Sequence, residues 1–270
     1  MRRTIITFNV WDLPLWFVRG RERRIAKVAD YLAGQDADVI CLQESFDVAH
    51  RLLIAHRLGD GYSMSDGHDR TRKMLGIKTF DVTGGLVVFS KFPIVRSRFF
   101  TFNRLVNVSW VEFLARKGFL EVVVSTPEGP LRIIDVHVHK VTRLGGKRVR
   151  LYQIGKVLSF LRGEPRMPTI FAGDFNEDQM IREPEFMERF REAGFVHPGP
   201  DNATLPPSYR KENPLVDLWP NRIETSERDD YIFLNGILGS GWSVVHYAPY
   251  ADGVRLSDHD PVTLVLEKKK

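Results

Sequence analysis

With 270 residues, 43% of them hydrophobic, the chain has enough apolar side chain to bury a sizeable core. Its one cysteine, Cys41, excludes an intrachain disulfide and favours a reducing compartment, and no apolar run is long enough to span a bilayer. A formal net charge of +5 favours an anionic partner, such as a phosphate ester, a nucleic acid or an anionic membrane surface, without choosing among them. A soluble or peripheral protein, cytoplasmic or at a membrane surface, is the expectation.

The start, Met1-Arg2-Arg3 followed by Thr4-Ile5-Ile6-Thr7-Phe8, imitates a secretion signal, but Asn9, Asp12 and Pro14 interrupt it and no small-residue cleavage site follows. It reads as a first strand over 5–10 with a polar, aromatic exit. Ile25, Val28, Ala29 and Leu32 recur at helical spacing up to Gly34, and a buried strand over 39–42 ends in Gln43-Glu44. A helix over 48–58 stops at Gly59, and 61–81, with no sustained period and with Arg70, Arg72, Lys73 and Lys78, reads as a surface loop.

Gly84-Gly85 introduces a strand over 86–90 that stops before Pro93. Residues 118–125 and 131–139 form a hairpin whose second strand carries Asp135, His137 and His139 on one face, because side chains alternate along a strand. A basic loop over 140–148 leads into a helix with the stripe Leu151, Ile154, Leu158 and Leu161. The apolar strand Thr169-Ile170-Phe171-Ala172 then breaks off in Gly173-Asp174-Phe175-Asn176, and chemistry gathers at such exits, where a rigid sheet holds a loop in place. A helix opened by Pro184, a long proline-containing loop over 197–229, and strands at 231–234, 242–246 and 262–266 complete the chain, with Ser257-Asp258-His259-Asp260 just before the last strand. No linker or repeat divides it. Hairpins mixed with strand-helix-strand units predict a single α/β domain over 1–270 of the α+β type, a four-layer sandwich of two packed mixed β-sheets flanked by helices.

Several strand ends suit hydrolysis of a phosphate ester. Glu44, Asp258 and Asn9 are hard oxygen donors of the kind that hold Mg²⁺ together with waters, whereas the lack of HExxH or paired CxxC gives no sign of zinc. His259, with Asp230 opening a separate strand, offers a histidine oriented by a distant carboxylate. Taken singly, Gly-Asp-x-Asn is an ordinary turn, a lone histidine an ordinary structural residue, and Glu44 a candidate helix cap near Phe46.

Co-occurrence outweighs these readings. Asn9, Gln43-Glu44, His137, Gly173-Asp174-Phe175-Asn176, Asp230 and Ser257-Asp258-His259 follow one another in an order that resembles the endonuclease/exonuclease/phosphatase superfamily of Mg²⁺-dependent phosphoesterases. That resemblance implies Glu44 as principal metal ligand with Asn9 and Asp258 near the metal, and Mn²⁺ or Co²⁺ as substitutes for Mg²⁺. It implies Asp174 at the attacking water, Asn176 and His137 at the scissile phosphate, and His259 with Asp230 at the phosphate or leaving group. Which of Asp174 and His259 is the base stays open.

Within the superfamily the chain looks most like neutral sphingomyelinases, through Phe8-Asn9-Val10-Trp11-Asp12-Leu13-Pro14 and Gly84-Gly85-Leu86-Val87-Val88-Phe89-Ser90-Lys91-Phe92-Pro93-Ile94. Lys117 stands where that family keeps a functional lysine, and Arg150 with Gln153 matches its post-histidine helix, which implies substrate contacts for Lys117 and Arg150. Val136-His137-Val138-His139-Lys140 departs from the usual Thr-His-Leu-His-Ala. The implied substrate is a phospholipid head group, with Trp16 and Phe17 as candidates for membrane contact. A nuclease, or a phosphatase of phosphoinositides or nucleotides, is the alternative, for which the basic stretches at 70–78 and 140–150 would suit a phosphate backbone. Glu44, Asp174, Asn176 and His259 are all present, which argues against a non-catalytic binding module.

Overall fold

Each of two sheets is built around a parallel pair. In the computed structural model, which describes residues 1–13, 18, 20–65, 71–74, 78–81, 84–102, 115–140, 145–178, 180–199, 206–218, 225–249 and 255–269, β1 (Arg2–Asn9) runs parallel to β2 (Val39–Gln43), with the crossover made by α1 (Arg21–Gly34). The first sheet extends on one side through β6 (Val87–Ser90) to β3 (Ser63–Met64), and on the other through β14 (Val262–Lys268) to β13 (Trp242–Pro249). The second sheet repeats the plan. There β9 (Gly129–His137) lies parallel to β10 (Thr169–Asp174) across α3 (Gly146–Gly163), flanked by β8 (Gly118–Thr126) and β7 (Ile94–Thr101) on one side and by β12 (Asp230–Asn235) and β11 (Phe195–Val196) on the other.

Strands buried on both faces read as unbroken apolar runs, as β2, β6, β10 and β12 do up to their polar ends, whereas β8 and β9 are interrupted by the buried Glu121, Arg132 and Asp135. Ile5, Val39, Cys41 and Leu264 of the first sheet meet Leu120, Val122, Ile133 and Ile170 of the second in the central core. The opposite face of the first sheet, with Ile6, Phe8, Ile40 and Phe89, packs on Ile25, Val28 and Leu32 of α1 and on Ile54 of α2 (Val48–Leu58). Phe119, Phe171 and Phe233 of the second sheet pack on Ile154 and Leu158 of α3 and on Phe186 and Phe190 of α4 (Pro184–Glu192). The result is the expected four-layer sandwich of two mixed sheets between helices.

The structure corrects several local expectations. Residues 61–81 include β3, hydrogen-bonded to β6, and a two-stranded ribbon of β4 (Thr71–Met74) and β5 (Lys78–Asp81). Their short, polar strands carry too little apolar alternation to be read from sequence. Strand β7 follows Pro93 without an announcing turn, and its side chains are half-buried on both faces. A one-turn helix, α5 (Gly236–Gly241), is started by Asn235, whose side chain accepts from Leu238 N. The cap of α2 is Asp47, which accepts from Ala49 N at 3.0 Å, so Glu44 is free of the capping role. The side chains of Trp16, Phe17, Arg70, Arg72, Lys73 and Lys78, and residues 141–144 of the basic loop, lie outside the described residues. Among those described, no helix is long and apolar enough to cross a membrane.

Strand register brings the polar exits to one edge. Asn9 lies opposite Gln43, and Asp174 lies opposite both His137 and Asp230. Since β14 runs antiparallel to β1 with Thr7 opposite Val262, the residues just before β14 stand beside the end of β1. Gly173 makes the close pairing of β10 with β9 possible: its φ is +139°, and a Cβ there would lie 2.0 Å from the carbonyl oxygen of Val136. Gly173→Ala should therefore cost well over ~1 kcal/mol of stability, because neither the backbone angle nor the main-chain neighbour can yield cheaply. Urea denaturation reads this directly, and an unchanged midpoint would mean that the two strands part easily.

Candidate active site

Both sheets contribute to a single polar cluster at this edge. From the first come Asn9, Glu44 and the segment Ser257-Asp258-His259; from the second come His137, Asp174, Asn176 and Asp230, and every one of these is buried. Asn9 Nδ2 donates to Asp174 Oδ2 at 2.9 Å, a hydrogen bond that joins the sheets, while Asn9 Oδ1 accepts from Trp11 N at 3.0 Å. The other oxygen of Asp174 accepts from Asn176 N at 2.9 Å, and Asn176 Nδ2 donates to Val138 O at 3.0 Å. His137 Nε2 stands 3.4 Å from Asp174 Oδ2 and 3.7 Å from Glu44 Oε1. His259 Nδ1 is 2.7 Å from Asp230 Oδ2. Ser257 Oγ donates to Asn9 O at 2.6 Å and lies 3.1 Å from Asp258 Oδ1, which fastens the His259 loop to the end of β1.

The exits share a backbone device. Trp11, Glu44 and Asn176 adopt left-handed φ values of 48°, 54° and 48°, a conformation that costs a non-glycine residue on the order of 1–3 kcal/mol and persists only where the surroundings enforce it. Here the enforcement is main-chain pairing carried past the strand ends, with Val10 N to Gln43 O and Asp12 N to Glu44 O, each at 3.0 Å, in the first sheet. Val138 N to Asp174 O at 2.9 Å and Phe175 N to Asp229 O at 2.7 Å do the same in the second.

Burial dominates the electrostatics. It pushes the Glu44 carboxyl up to about 8, with Asp258 and Asp174 adding to the shift and Lys117 and His259 opposing it. Glu44 Oε2 is buried and has no hydrogen-bond partner. An orphaned carboxylate oxygen among other acids fits a hard divalent cation, which would supply the missing positive charge. A second group, Asp174, Asp230 and His259, has donor atoms within 4.8 Å of one another. In that group His259 Nδ1 is engaged by Asp230 Oδ2, while Asp230 Oδ1, like Glu44 Oε2, is buried without a hydrogen-bond partner, so the edge offers a cation two orphaned carboxylate oxygens.

The two histidines are driven apart. Burial, together with the charges of Lys117 and His259, holds His137 well below the ordinary histidine range and therefore neutral. Burial pulls His259 down as well, but the charge and hydrogen bond of Asp230, with Asp258 and Asp174 behind it, outweigh burial and hold His259 well above that range. Burial raises Asp230 to about 6 against the pull of His259.

Lys117 is buried close enough for its charge to act on both Glu44 and His137. Arg150 is engaged through Nε by Glu177, the residue after Asn176. His139 does not join His137: it follows the end of β9, and its main-chain N–H and its ring Nδ1 both meet the side chain of Gln153 on α3. Asp135 does point between the sheets, where Gln43 Nε2 donates to it at 2.6 Å and to Thr7 Oγ1 at 3.0 Å. Burial raises the Asp135 carboxyl well above its ordinary range, against the hydrogen bond from Gln43. The part played by Gln43 beneath Glu44, and that of Ser208, whose hydroxyl meets the start of β12, have no local signal in sequence.

The model of the Endonuclease/Exonuclease/phosphatase family matches residues 6–259. Sphingomyelinase C 2 of Leptospira interrogans is 29% identical over 146 residues, which cover 49% of this chain and 23% of that protein, so the match spans under a quarter of the relative's length. Among solved structures, a mutant beta toxin from Staphylococcus aureus with bound magnesium ions superposes with a TM-score of 0.73 at 18% identity, over 100% of both chains. Zebrafish (D. rerio) TDP2 complexed with single strand DNA product superposes with a TM-score of 0.73 at 19% identity, over 99% of each chain. At such identities the likeness is one of fold.

The shift at Glu44 has a testable sign. Its folded pKa of about 8 lies above the ~4.3 of an unfolded glutamate, so the stability it contributes is complete below ~4.3 and is lost as pH rises through about 8. In EDTA the melting temperature should fall over that interval, and Glu44→Gln should lessen the fall; calorimetry across pH measures both. An identical decline in the variant would assign it to other groups.

Proposed function

The chain belongs to the endonuclease/exonuclease/phosphatase family and within it is similar to sphingomyelinases, and from that premise we propose that it is a Mg²⁺-dependent phosphodiesterase that cleaves the phosphoryl head group from a phospholipid by in-line attack of water. The observation that carries the proposal is the unpartnered, buried Glu44 oxygen beside His137 and Asp174, with the His259–Asp230 pair at the same edge. Glu44 would hold the cation, with Asn9 and Asp258 near it, and when bound the cation supplies charge stabilisation to the phosphoryl oxygens.

The remaining chemistry belongs to the side chains. Asp174 would orient or deprotonate the attacking water; its two oxygens are held in place by Asn9 Nδ2 and Asn176 N. His137, being neutral, would meet a phosphoryl oxygen as a hydrogen-bond donor rather than as a charge, in company with Asn176. His259, carrying its proton against Asp230, is suited to stabilise the phosphate or to protonate the departing oxygen. Lys117 adds a buried positive charge beside the same oxygens, and Arg150, through Glu177, steadies the stretch after Asn176. Contact with a membrane surface belongs to the lipid reading.

Chelation should abolish turnover and Mg²⁺ should restore it, with Mn²⁺ or Co²⁺ as partial substitutes. His259→Ala should lower kcat by roughly 10²–10⁴-fold with the fold intact, and Asp230→Asn by less, since it orients the ring. Full activity in EDTA would end the metal assignment.

A second reading, nuclease action, draws on the net charge and on the shared fold with TDP2 in complex with a DNA product. The two separate cleanly. A lipid phosphodiesterase releases phosphocholine from sphingomyelin in mixed micelles, and Lys117→Ala reduces this more than it reduces hydrolysis of a small chromogenic diester. A nuclease nicks plasmid DNA at a rate that falls steeply with salt, because phosphate contacts carry its binding. Salt-sensitive nicking without phosphocholine release would reverse the order of the two readings.

A further inference from the structure

Between β11 and β12 the sequence shows only a long loop, yet its residues 208–213 run along the His259 loop and hold it on both sides. Ser208 is completely buried, and its Oγ accepts from the main-chain N–H of Asp229 and of Asp230, each at 3.1 Å. Its carbonyl oxygen accepts from Asp260 N at 2.6 Å. Tyr209 exchanges main-chain hydrogen bonds with Glu227, at 2.9 and 2.8 Å, bridges to His259 on its other side, and sets its ring edge-on to the imidazole at 5.4 Å. Arg210 grips both oxygens of Asp260, with its Nη2 3.0 Å from Oδ1, and Asn213 Nδ2 donates to Ser257 O at 2.7 Å.

Asp230 and His259 are 29 residues apart in sequence, one opening β12 of the second sheet and the other in the loop before β14 of the first, yet their side chains meet at 2.7 Å. Ser208 touches the main chain beside both, through its hydroxyl at Asp230 and through its carbonyl at the residue after His259. We propose that Ser208 is a positioning residue for the His259–Asp230 pair, and that residues 208–213 form a strap that sets the separation of the two side chains. The inference rests on the acid-base reading of His259 given above. Its energetic basis is steep in both directions. Removing the hydroxyl leaves two buried N–H groups without an acceptor, and a shift of about 1 Å in a reacting group can cost on the order of 10²-fold in rate.

The test is a double-mutant cycle on Ser208→Ala and His259→Ala, measured with Mg²⁺ on sphingomyelin in mixed micelles or, if that is not cleaved, on plasmid DNA. In both substrates the P–O bond that breaks releases an alkoxide oxygen, which requires a proton. Ser208→Ala should lower kcat by about 10–100-fold with little change in KM or in the Mg²⁺ concentration for half-activation, and it should cost nothing further in the His259→Ala background. In the metal-free protein the downfield proton resonance of His259 Nδ1 should move in Ser208→Ala. If Ser208→Ala does not fold, Arg210→Gln takes its place in the same cycle with the same expectations, since it loosens the strap from the half-exposed side.

A loss of equal size in both backgrounds, or wild-type kcat with an unmoved resonance, overturns the strap while leaving the role of His259 intact. A wild-type rate in His259→Ala, or no turnover of either substrate by the wild type, overturns the acid-base reading and the strap with it.

Discussion

Four carboxylates, those of Glu44, Asp174, Asp230 and Asp258, are buried at one edge of the sandwich. Keeping that much negative charge out of water is the constraint on which the rest of the structure depends. A buried carboxylate persists only if it is paired, hydrogen-bonded or protonated. Asp174 accepts from Asn9 and Asn176 and Asp230 is paired with His259, while Asp258 Oδ1 lies 3.1 Å from the hydroxyl of Ser257, whose proton goes to Asn9 O. Glu44 and Asp230 each keep one buried oxygen without a hydrogen-bond partner, and burial, with Asp258 and Asp174 adding to it, raises the pKa of Glu44. The same deficit that weakens the cation-free fold is what a divalent cation would fill, so stability and cofactor affinity are two readings of one charge imbalance.

The fold solves the delivery problem by duplication. Each sheet places a parallel pair at its centre, β1 with β2 and β9 with β10, so four strand ends from distant parts of the chain emerge at the same edge. Left-handed turns at Trp11, Glu44 and Asn176 then redirect the chain within a residue or two of those ends. The sheets are joined there by the Asn9–Asp174 hydrogen bond and beneath it by Gln43, which donates to Asp135. The environment also divides labour between two buried imidazoles: burial, reinforced by the charge of Lys117, keeps His137 neutral, while the charge and hydrogen bond of Asp230 outweigh burial at His259 and keep it protonated.

Much of this was legible in the sequence where local pattern and global fold agree. The helix over 48–58 was readable from its apolar spacing and the glycine that ends it, and the buried strands from apolar runs that stop in polar residues. The order of site residues could be read because Asn9, Gln43-Glu44, His137 and Asp174 end apolar strands, while Asp230 and Ser257-Asp258-His259 come just before apolar runs, and a polar residue at either border is conspicuous. What escaped lacks a local signal. His139 follows His137 at strand spacing, and only the end of β9 and the presence of Gln153 on α3 turn it away. Ser208 looks like any loop serine, because the two N–H groups it satisfies belong to residues 21 and 22 positions away. The β4–β5 ribbon is polar on sequence and depends on pairing that no periodicity announces.

The charge of Lys140 bears on the choice between lipid and polyanion. It stands where sphingomyelinases carry a small residue, and taken alone a lysine next to His139 would suggest attraction for a polyanionic backbone. In the structure its Nζ lies 3.3 Å from Glu227 and 3.5 Å from Asp229, over the face of Tyr209 at 4.6 Å. The two carboxylates hold its pKa up against burial, and burial in turn raises theirs. The lysine is thus neutralised where it stands, and its aliphatic stem and ammonium serve to hold Glu227 and Asp229 beside Tyr209, the residue that packs on His259. Part of the basic composition at this edge is taken up by internal pairing. The net charge of +5 consequently says little about the ligand at that edge, and the case for a phospholipid rests on the ordered motifs and on the sphingomyelinase likeness rather than on charge.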